Sequence, residues 1–202
     1  MRIGIIGIGS FTLELAVRSA NAGFEVIVHN PKGNSLIKDV IEKIGPKVKP
    51  GTLQEAAAPE LILLFVPKED LEAVIANLPD LSGKIILHTS GLIFDPQSLL
   101  SGIINAMTYP ITASLLPHAK VVKIFNPVQI NPSHAQCRIT GKEELFFIAD
   151  HPSSRSFVRT FLKKLRYAPI DISGKLHIKH MHINPKTYFN PFSDGPFTNT
   201  LN

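Results

Sequence analysis

The first thirty residues leave this chain few folds to choose from. Arg2 to Ile6 is apolar and β-branched, the mark of a strand buried on both faces. Gly7 to Gly9 is a turn signal. Phe11 to Ala22 then has helical spacing. Phe11, Leu15, Arg18 and Ala22 fall along one side, and Leu13, Ala16, Val17 and Ala20 are predicted as the apolar face. Gly23 closes that helix, and Glu25 to His29 reads as a second strand. A strand-helix-strand crossover takes about 30 residues, and this one fills Met1 to Asn30.

The alternation continues to Ile172. Short helices are predicted over Ser35 to Ile44 and Thr52 to Ala58, the second opened by Thr52 with Glu55 three residues on. Val48 is a brief strand between them, and Leu61 to Val66 is an unbroken apolar run that reads as a central strand. Lys68 to Leu78 is a helix stopped by Pro79, and Lys84 to His88 a strand. Ser98 to Ile104 and Ile111 to Leu116 are weaker helical pieces. Lys120 to Phe125 and Leu145 to Ala149 are strands, Ser153 to Leu165 a helix, and Ala168 to Ile172 the last strand. Strands alternating with helices imply an α/β protein with a doubly wound, mostly parallel sheet. The expected organisation is one domain over residues 1–174 and an irregular tail over 175–202, where His, Asn, Pro and Phe accumulate without helical periodicity.

Composition narrows the partners. At 202 residues with 44% hydrophobic and 18% charged, the chain has material for a sizeable core. No apolar stretch approaches the roughly 20 residues of a membrane-spanning helix, and Met1 to Gly9 reads as a strand rather than a leader. Cys137 is the one cysteine, so no internal disulfide forms and a cytoplasmic setting is expected. The net charge of +5 comes from scattered Lys and Arg. That suits a small anionic ligand; nucleic acid and membrane are not expected partners.

Gly7-Ile8-Gly9-Ser10-Phe11-Thr12 stands between strand and helix, where a dinucleotide site needs it. Gly7 allows the tight turn, and Gly9 lets backbone approach a pyrophosphate. The helix N-terminus offers free N–H groups and a positive dipole end. Thr12 stands where a third glycine serves helix–strand packing. About 20 residues further on, an NAD site usually carries an acidic residue for the ribose 2′-hydroxyl. Here the stretch is His29-Asn30-Pro31-Lys32-Gly33, with no carboxylate. Asn30 can donate to a 2′-phosphate and Lys32 can neutralise it, so NADP is favoured over NAD.

Four stretches resemble the NADP oxidoreductases that use a deazaflavin coenzyme, a group similar to the cytosolic domain of membrane ferric reductases. They are Ile3-Gly4-Ile5-Ile6-Gly7-Ile8-Gly9, Leu63-Leu64-Phe65-Val66-Pro67, Val121-Val122-Lys123-Ile124-Phe125-Asn126, and Phe147-Ile148-Ala149-Asp150 with Pro169-Ile170-Asp171-Ile172. The resemblance implies a Rossmann domain that binds NADPH and exchanges a hydride with a planar acceptor such as a flavin or deazaflavin. It places Asn30 to Gly33 at the 2′-phosphate and Val66 and Pro67 beside the adenosine. His88, Thr89, Ser90, Gly91 and Asn126 fall at strand ends near the nicotinamide. Where the family continues into a long apolar helix, this chain has Lys175 to Asn202.

Hydride transfer between two rings asks little acid–base help of a protein, so no catalytic residue is expected. His88 is a cleft-wall residue in the plainer reading and a proton donor in the sharper one. His177, His180 and His182 lack a cysteine or carboxylate at ligand spacing, so no metal site is expected. Tyr188, Phe189, Phe192 and Phe197 are costly to leave in water, and docking across the cleft or on a second subunit of a homodimer is expected. The loop from Pro127 to Pro132 could instead serve as a lid. The alternative to an oxidoreductase with a small-molecule acceptor is a non-catalytic NADP-binding module that senses redox state or docks on a partner. A short imine or 2-hydroxyacid reductase is a third reading, weakened by the absence of a second domain and of an evident catalytic lysine.

Overall fold

A computed structural model of the chain describes residues 1–67, 70–89, 109–125 and 143–173. They form an eight-stranded sheet in the order β3-β2-β1-β4-β5-β6-β7-β8. The strands are β1 (Arg2–Ile6), β2 (Glu25–His29), β3 (Val48–Pro50), β4 (Leu61–Phe65), β5 (Ile85–Thr89), β6 (Lys120–Phe125), β7 (Glu144–Ala149) and β8 (Ala168–Asp171). The helices are α1 (Ser10–Asn21), α2 (Lys38–Ile44), α3 (Leu53–Ala57), α4 (Leu71–Ala76), a helical stretch over 109–115 that we call α5, and α6 (Pro152–Lys164). From β1 the chain winds outward to β2 and β3, then crosses back to β4 on the other side of β1. That reversal makes the gap between β1 and β4 a topological switch point. The doubly wound α/β reading holds.

Strand alternation sends side chains to two cores. Ile3 and Ile5 of β1, Leu63, Leu87, Val122 and Phe147 join Leu15 and Ala16 of α1 and Phe161 and Leu162 of α6 on one face. Ile6, Ile62, Leu64, Ile86 and Val121 join Ala56 and Ala57 of α3, Leu71 of α4 and Tyr109 of α5 on the other. The central strands are apolar on both faces because both faces are covered. Helix α3 has only five residues, and its cap is reciprocal. The Glu55 amide donates to Thr52 Oγ1 at 3.1 Å and the Thr52 amide to Glu55 Oε2 at 2.7 Å. Thr52→Ala is therefore expected to cost about 1 kcal/mol, read as a lower urea midpoint at unchanged m-value.

Three expectations are corrected. The buried side of α1 is Phe11, Thr12, Leu15, Ala16 and Ser19, while Val17 is exposed. Small polar residues take core positions there, because Thr12 closes its hydroxyl on the turn below it. The helix expected over Ser35 to Ile44 divides into a 3-10 turn at Asn34–Ile37 and α2. The helix expected over Lys68 to Leu78 stops at Ala76, with α4 covering Leu71–Ala76, and Lys68 and Glu69 lie outside the described residues. The sheet also changes direction once. β7 lies antiparallel beside β6, and β8 is again parallel to β7. The predicted helix over Ser98 to Ile104, the Pro127 to Pro132 loop, Cys137 and the tail all lie outside the described residues. None of the described helices is long and apolar enough to cross a membrane.

Candidate functional site

The parallel register brings the ends of β1, β2, β4 and β5 together. Ile6 pairs with both His29 and Leu64, and Phe65 with Thr89. The Gly7 amide donates to the His29 carbonyl at 2.9 Å, tying the turn after β1 to the end of β2. Gly7 has φ +88°, and a Cβ there would lie 1.7 Å from the Phe65 carbonyl oxygen. At Gly9 the missing Cβ faces the Phe65 ring, 2.5 Å from Cε1. Both glycines are thus required by the end of β4. The expected purpose of Gly9, clearance toward a ligand, is not where its Cβ direction points.

Thr12 has a specific task. Its Oγ1 accepts from the Gly9 amide at 2.9 Å and donates to the Gly9 carbonyl at 3.1 Å. The Gly9 N–H is therefore turned into the helix. Gly9 is the N-cap of α1 and no side chain caps the helix, so the first amides, at Ser10 and Phe11, lack intrahelical acceptors. No acidic residue stands in the first turn. An anion placed there would meet donors and the positive dipole end without a competing carboxylate. Ser10 is exposed, Ile8 half-buried against the first core and Phe11 buried.

The loop after β2 is built by asparagines. Asn30 Nδ2 donates to the Gly33 carbonyl at 2.9 Å, and its Oδ1 accepts from the Lys32 amide at 3.2 Å. The Asn30 amide donates to Asn34 Oδ1 at 2.8 Å, and Asn34 Nδ2 to the Gly51 carbonyl at 2.7 Å. His29 Nδ1 lies 3.2 Å from that same carbonyl. Asn30 is buried and shapes the loop, whereas Pro31 and Lys32 are exposed. Val66 is buried and Pro67 exposed just past β4, and Thr89 is buried at the end of β5. Ser90, Gly91 and Asn126 lie outside the described residues.

Two buried titratable groups flank each other on β5 and β6. His88 and Lys123 are register partners. His88 is buried, with Nδ1 3.1 Å from Thr112 Oγ1 of α5. Burial first, and the Lys123 charge second, push its pKa down to about 3. Burial thus holds the ring in its neutral form at physiological pH, with the residue 3% exposed. Lys123 is 0% exposed, its Nζ has no hydrogen-bond partner among the described residues, and burial pushes its pKa down to about 8. The Val-Val-Lys-x-Phe-Asn motif contains Lys123, but its isolation is visible only in the fold. The signal was a lysine inside the apolar run Val-Val-Lys-Ile-Phe. Away from these strand ends, a cavity of about 500 Å³ lies between the C-terminal turns of α1 and α6, lined by Arg18, Asn21, Ala22, Lys164, Leu165 and Arg166.

The winding order, the switch point and the glycine turn into an uncapped helix define a Rossmann-type α/β protein. Residues 2–90 match the model of the family described as NADP oxidoreductase, coenzyme F420-dependent, so the family resemblance carried by the motifs stands. The chain is 27% identical over 188 residues to metalloreductase STEAP3 of Rattus norvegicus, spanning 91% of this chain but 36% of that protein. Among solved structures, the hypothetical protein SMa0349 from Sinorhizobium meliloti superposes with a TM-score of 0.66 at 26% identity, covering 85% of each chain. A putative F420-dependent NADP-reductase from Arthrobacter sp. FB24 also superposes with a TM-score of 0.66, at 20% identity, covering 85% of this chain and 84% of that one.

Proposed function

We propose that this chain binds NADPH along the ends of β1, β2, β4 and β5 and serves the reduction of a small acceptor with a flavin-like or other planar ring. One observation carries the reading. The uncapped N-terminus of α1 stands beside a β2 loop that has an exposed lysine and no carboxylate. The residues present fit the dinucleotide. The amides of Ser10 and Phe11 would receive the pyrophosphate, the loop from His29 to Gly33 the 2′-phosphate through Lys32, and Val66 and Pro67 would border the adenosine. Thr89, Ser90, Gly91 and Asn126 would line the nicotinamide end. The family match supports the choice of NADP.

When bound, the reduced nicotinamide supplies the hydride. The chain's own part is to position. Gly7 and Phe65 fix the turn, Thr12 fixes the first turn of α1, and Asn30 with Asn34 fixes the loop that presents Lys32. The second reading is a binding module without turnover of its own, and a neutral His88 is compatible with both. Oxidation of NADPH, followed at its absorbance band across flavin, deazaflavin, quinone and ferric acceptors, separates the two. Turnover with any of them supports the first reading, and tight binding without turnover supports the module. Lys32→Ala is expected to weaken NADPH binding about tenfold, the scale of one charge-assisted contact, and to leave NADH binding unchanged in a fluorescence titration. Equal loss of both, or of neither, would remove Lys32 from the site.

A further inference from the structure

We propose that Lys123 is a buried, unneutralised cation that makes the site discriminate between the two redox forms of the dinucleotide, favouring the reduced one. The inference rests on the NADP reading above. Lys123 is the fourth residue of β6, two short of its end at Phe125. At about 3.3 Å per residue its Cα lies roughly 7 Å below that strand end. It is wholly buried, and its Nζ makes no hydrogen bond among the described residues.

The surroundings leave that charge uncompensated among the described residues. On β5 its register partner is His88, whose pKa is pushed down to about 3, so the ring is neutral at physiological pH. On β7 its partner is Ile148, with Phe146 further along the same face. On its own strand the Phe125 ring lies 5.4 Å away, a cation–π contact without a negative charge. From α5 comes Tyr109, whose hydroxyl donates to the Val121 carbonyl at 3.3 Å and accepts from the Asp150 amide at 3.2 Å. Burial raises the Tyr109 pKa, so that phenol stays protonated. The Asp150 carboxylate forms no ion pair with Lys123, and none of the described carboxylates does.

An oxidised nicotinamide carries a unit positive charge on its ring, and the reduced ring carries none. A fixed cation beneath the ends of β5 and β6 therefore penalises the oxidised form alone. The phosphates and adenosine are common to both forms, so they drop out of the ratio. Two like charges on the order of 10 Å apart, at an effective dielectric of about 20, repel by an amount worth about tenfold in affinity. The direction is toward holding NADPH and releasing NADP⁺.

Binding of each form to the full chain tests this. NADPH is titrated by its own fluorescence and NADP⁺ by calorimetry, for wild type, Lys123→Met and Lys123→Arg, with circular dichroism confirming each fold. Wild type is expected to bind NADP⁺ about tenfold more weakly relative to NADPH than Lys123→Met does. Its NADP⁺ affinity should rise as pH climbs through about 8, where Lys123 loses its proton. Lys123→Met should show no such rise, and Lys123→Arg should keep the discrimination at every pH. An unchanged ratio in Lys123→Met, or the same pH step in that variant, would overturn the inference while leaving the NADP site intact. Failure of wild type to bind either form would overturn the NADP reading and this inference with it.

Discussion

Gly4→Ala is expected to leave the chain without a cooperative thermal transition. A Cβ on Gly4 would lie 1.7 Å from the Ala56 carbonyl oxygen and 2.8 Å from its carbon. The obstacle is backbone, so no rotamer can give way. Nor can either partner retreat. β1 is hydrogen-bonded on both sides, to β2 and β4, and α3 is held by its Thr52–Glu55 cap. Overpacking a rigid core typically costs about 1–3 kcal/mol. A backbone collision this deep exceeds that and becomes comparable with the roughly 5–15 kcal/mol that hold a domain together. Gly7→Ala should behave alike, since it adds a φ of +88° to a 1.7 Å approach to Phe65. Gly83→Ala is the control. It has φ +74° but nothing within 4 Å of the added Cβ, so it should lose only about 1 kcal/mol. Melting curves of the three variants decide the matter. A Gly4→Ala protein melting near wild type would mean that β1 and α3 are not packed as described.

Stability is expected to drop steeply between pH 6.5 and 3, and His88 to be the main reason. In the fold its pKa is pushed down to about 3; in the unfolded chain the ring titrates near 6.5. Between those values the unfolded state binds the extra proton, so stability rises with pH and falls on acidification. Above pH 6.5 the contribution is fully present. A shift of this size corresponds to as much as about 5 kcal/mol at the acid end. Lys123 adds to the effect, because a proton on His88 would sit beside a second buried cation. Urea midpoints at pH 7, 6, 5 and 4 should fall for wild type. For His88→Gln they should stay nearly flat, after a modest loss at pH 7 from imperfect packing. A wild-type profile that is flat to pH 4 would refute the buried, neutral assignment.

The winding of the sheet was legible because each central strand is a short run of Ile, Leu and Val between glycine or proline signals, as at Leu61 to Phe65. The direction of β7 was not, since Leu-Phe-Phe-Ile-Ala reads the same in a parallel or an antiparallel neighbour. The face of α1 was misjudged because hydrophobicity was counted alone. Thr12 and Ser19 go inside by being small, and Val17 goes out because the sheet lies elsewhere. In the site, sequence placed Gly7, His29, Val66 and Thr89 at neighbouring strand ends, since parallel pairing aligns those ends. It did not assign roles. Asn30 seemed a phosphate donor by its chemistry, and only the loop's hydrogen bonds show it shaping the turn. The isolation of Lys123 depends on what faces it across β5, β7 and α5, which no linear pattern records.

The Phe65 ring occupies the space that a side chain at position 9 would fill, and the Phe65 carbonyl occupies the space beside position 7. Gly7 and Gly9 are therefore both packed against Phe65, one against its carbonyl and the other against its ring. A chain that enlarges position 9 must turn the ring at position 65 aside or make it smaller, so the two positions are expected to change together. The glycine turn and the end of β4 then behave as one interlocked unit, and a ligand resting on the first would feel any loosening of the second.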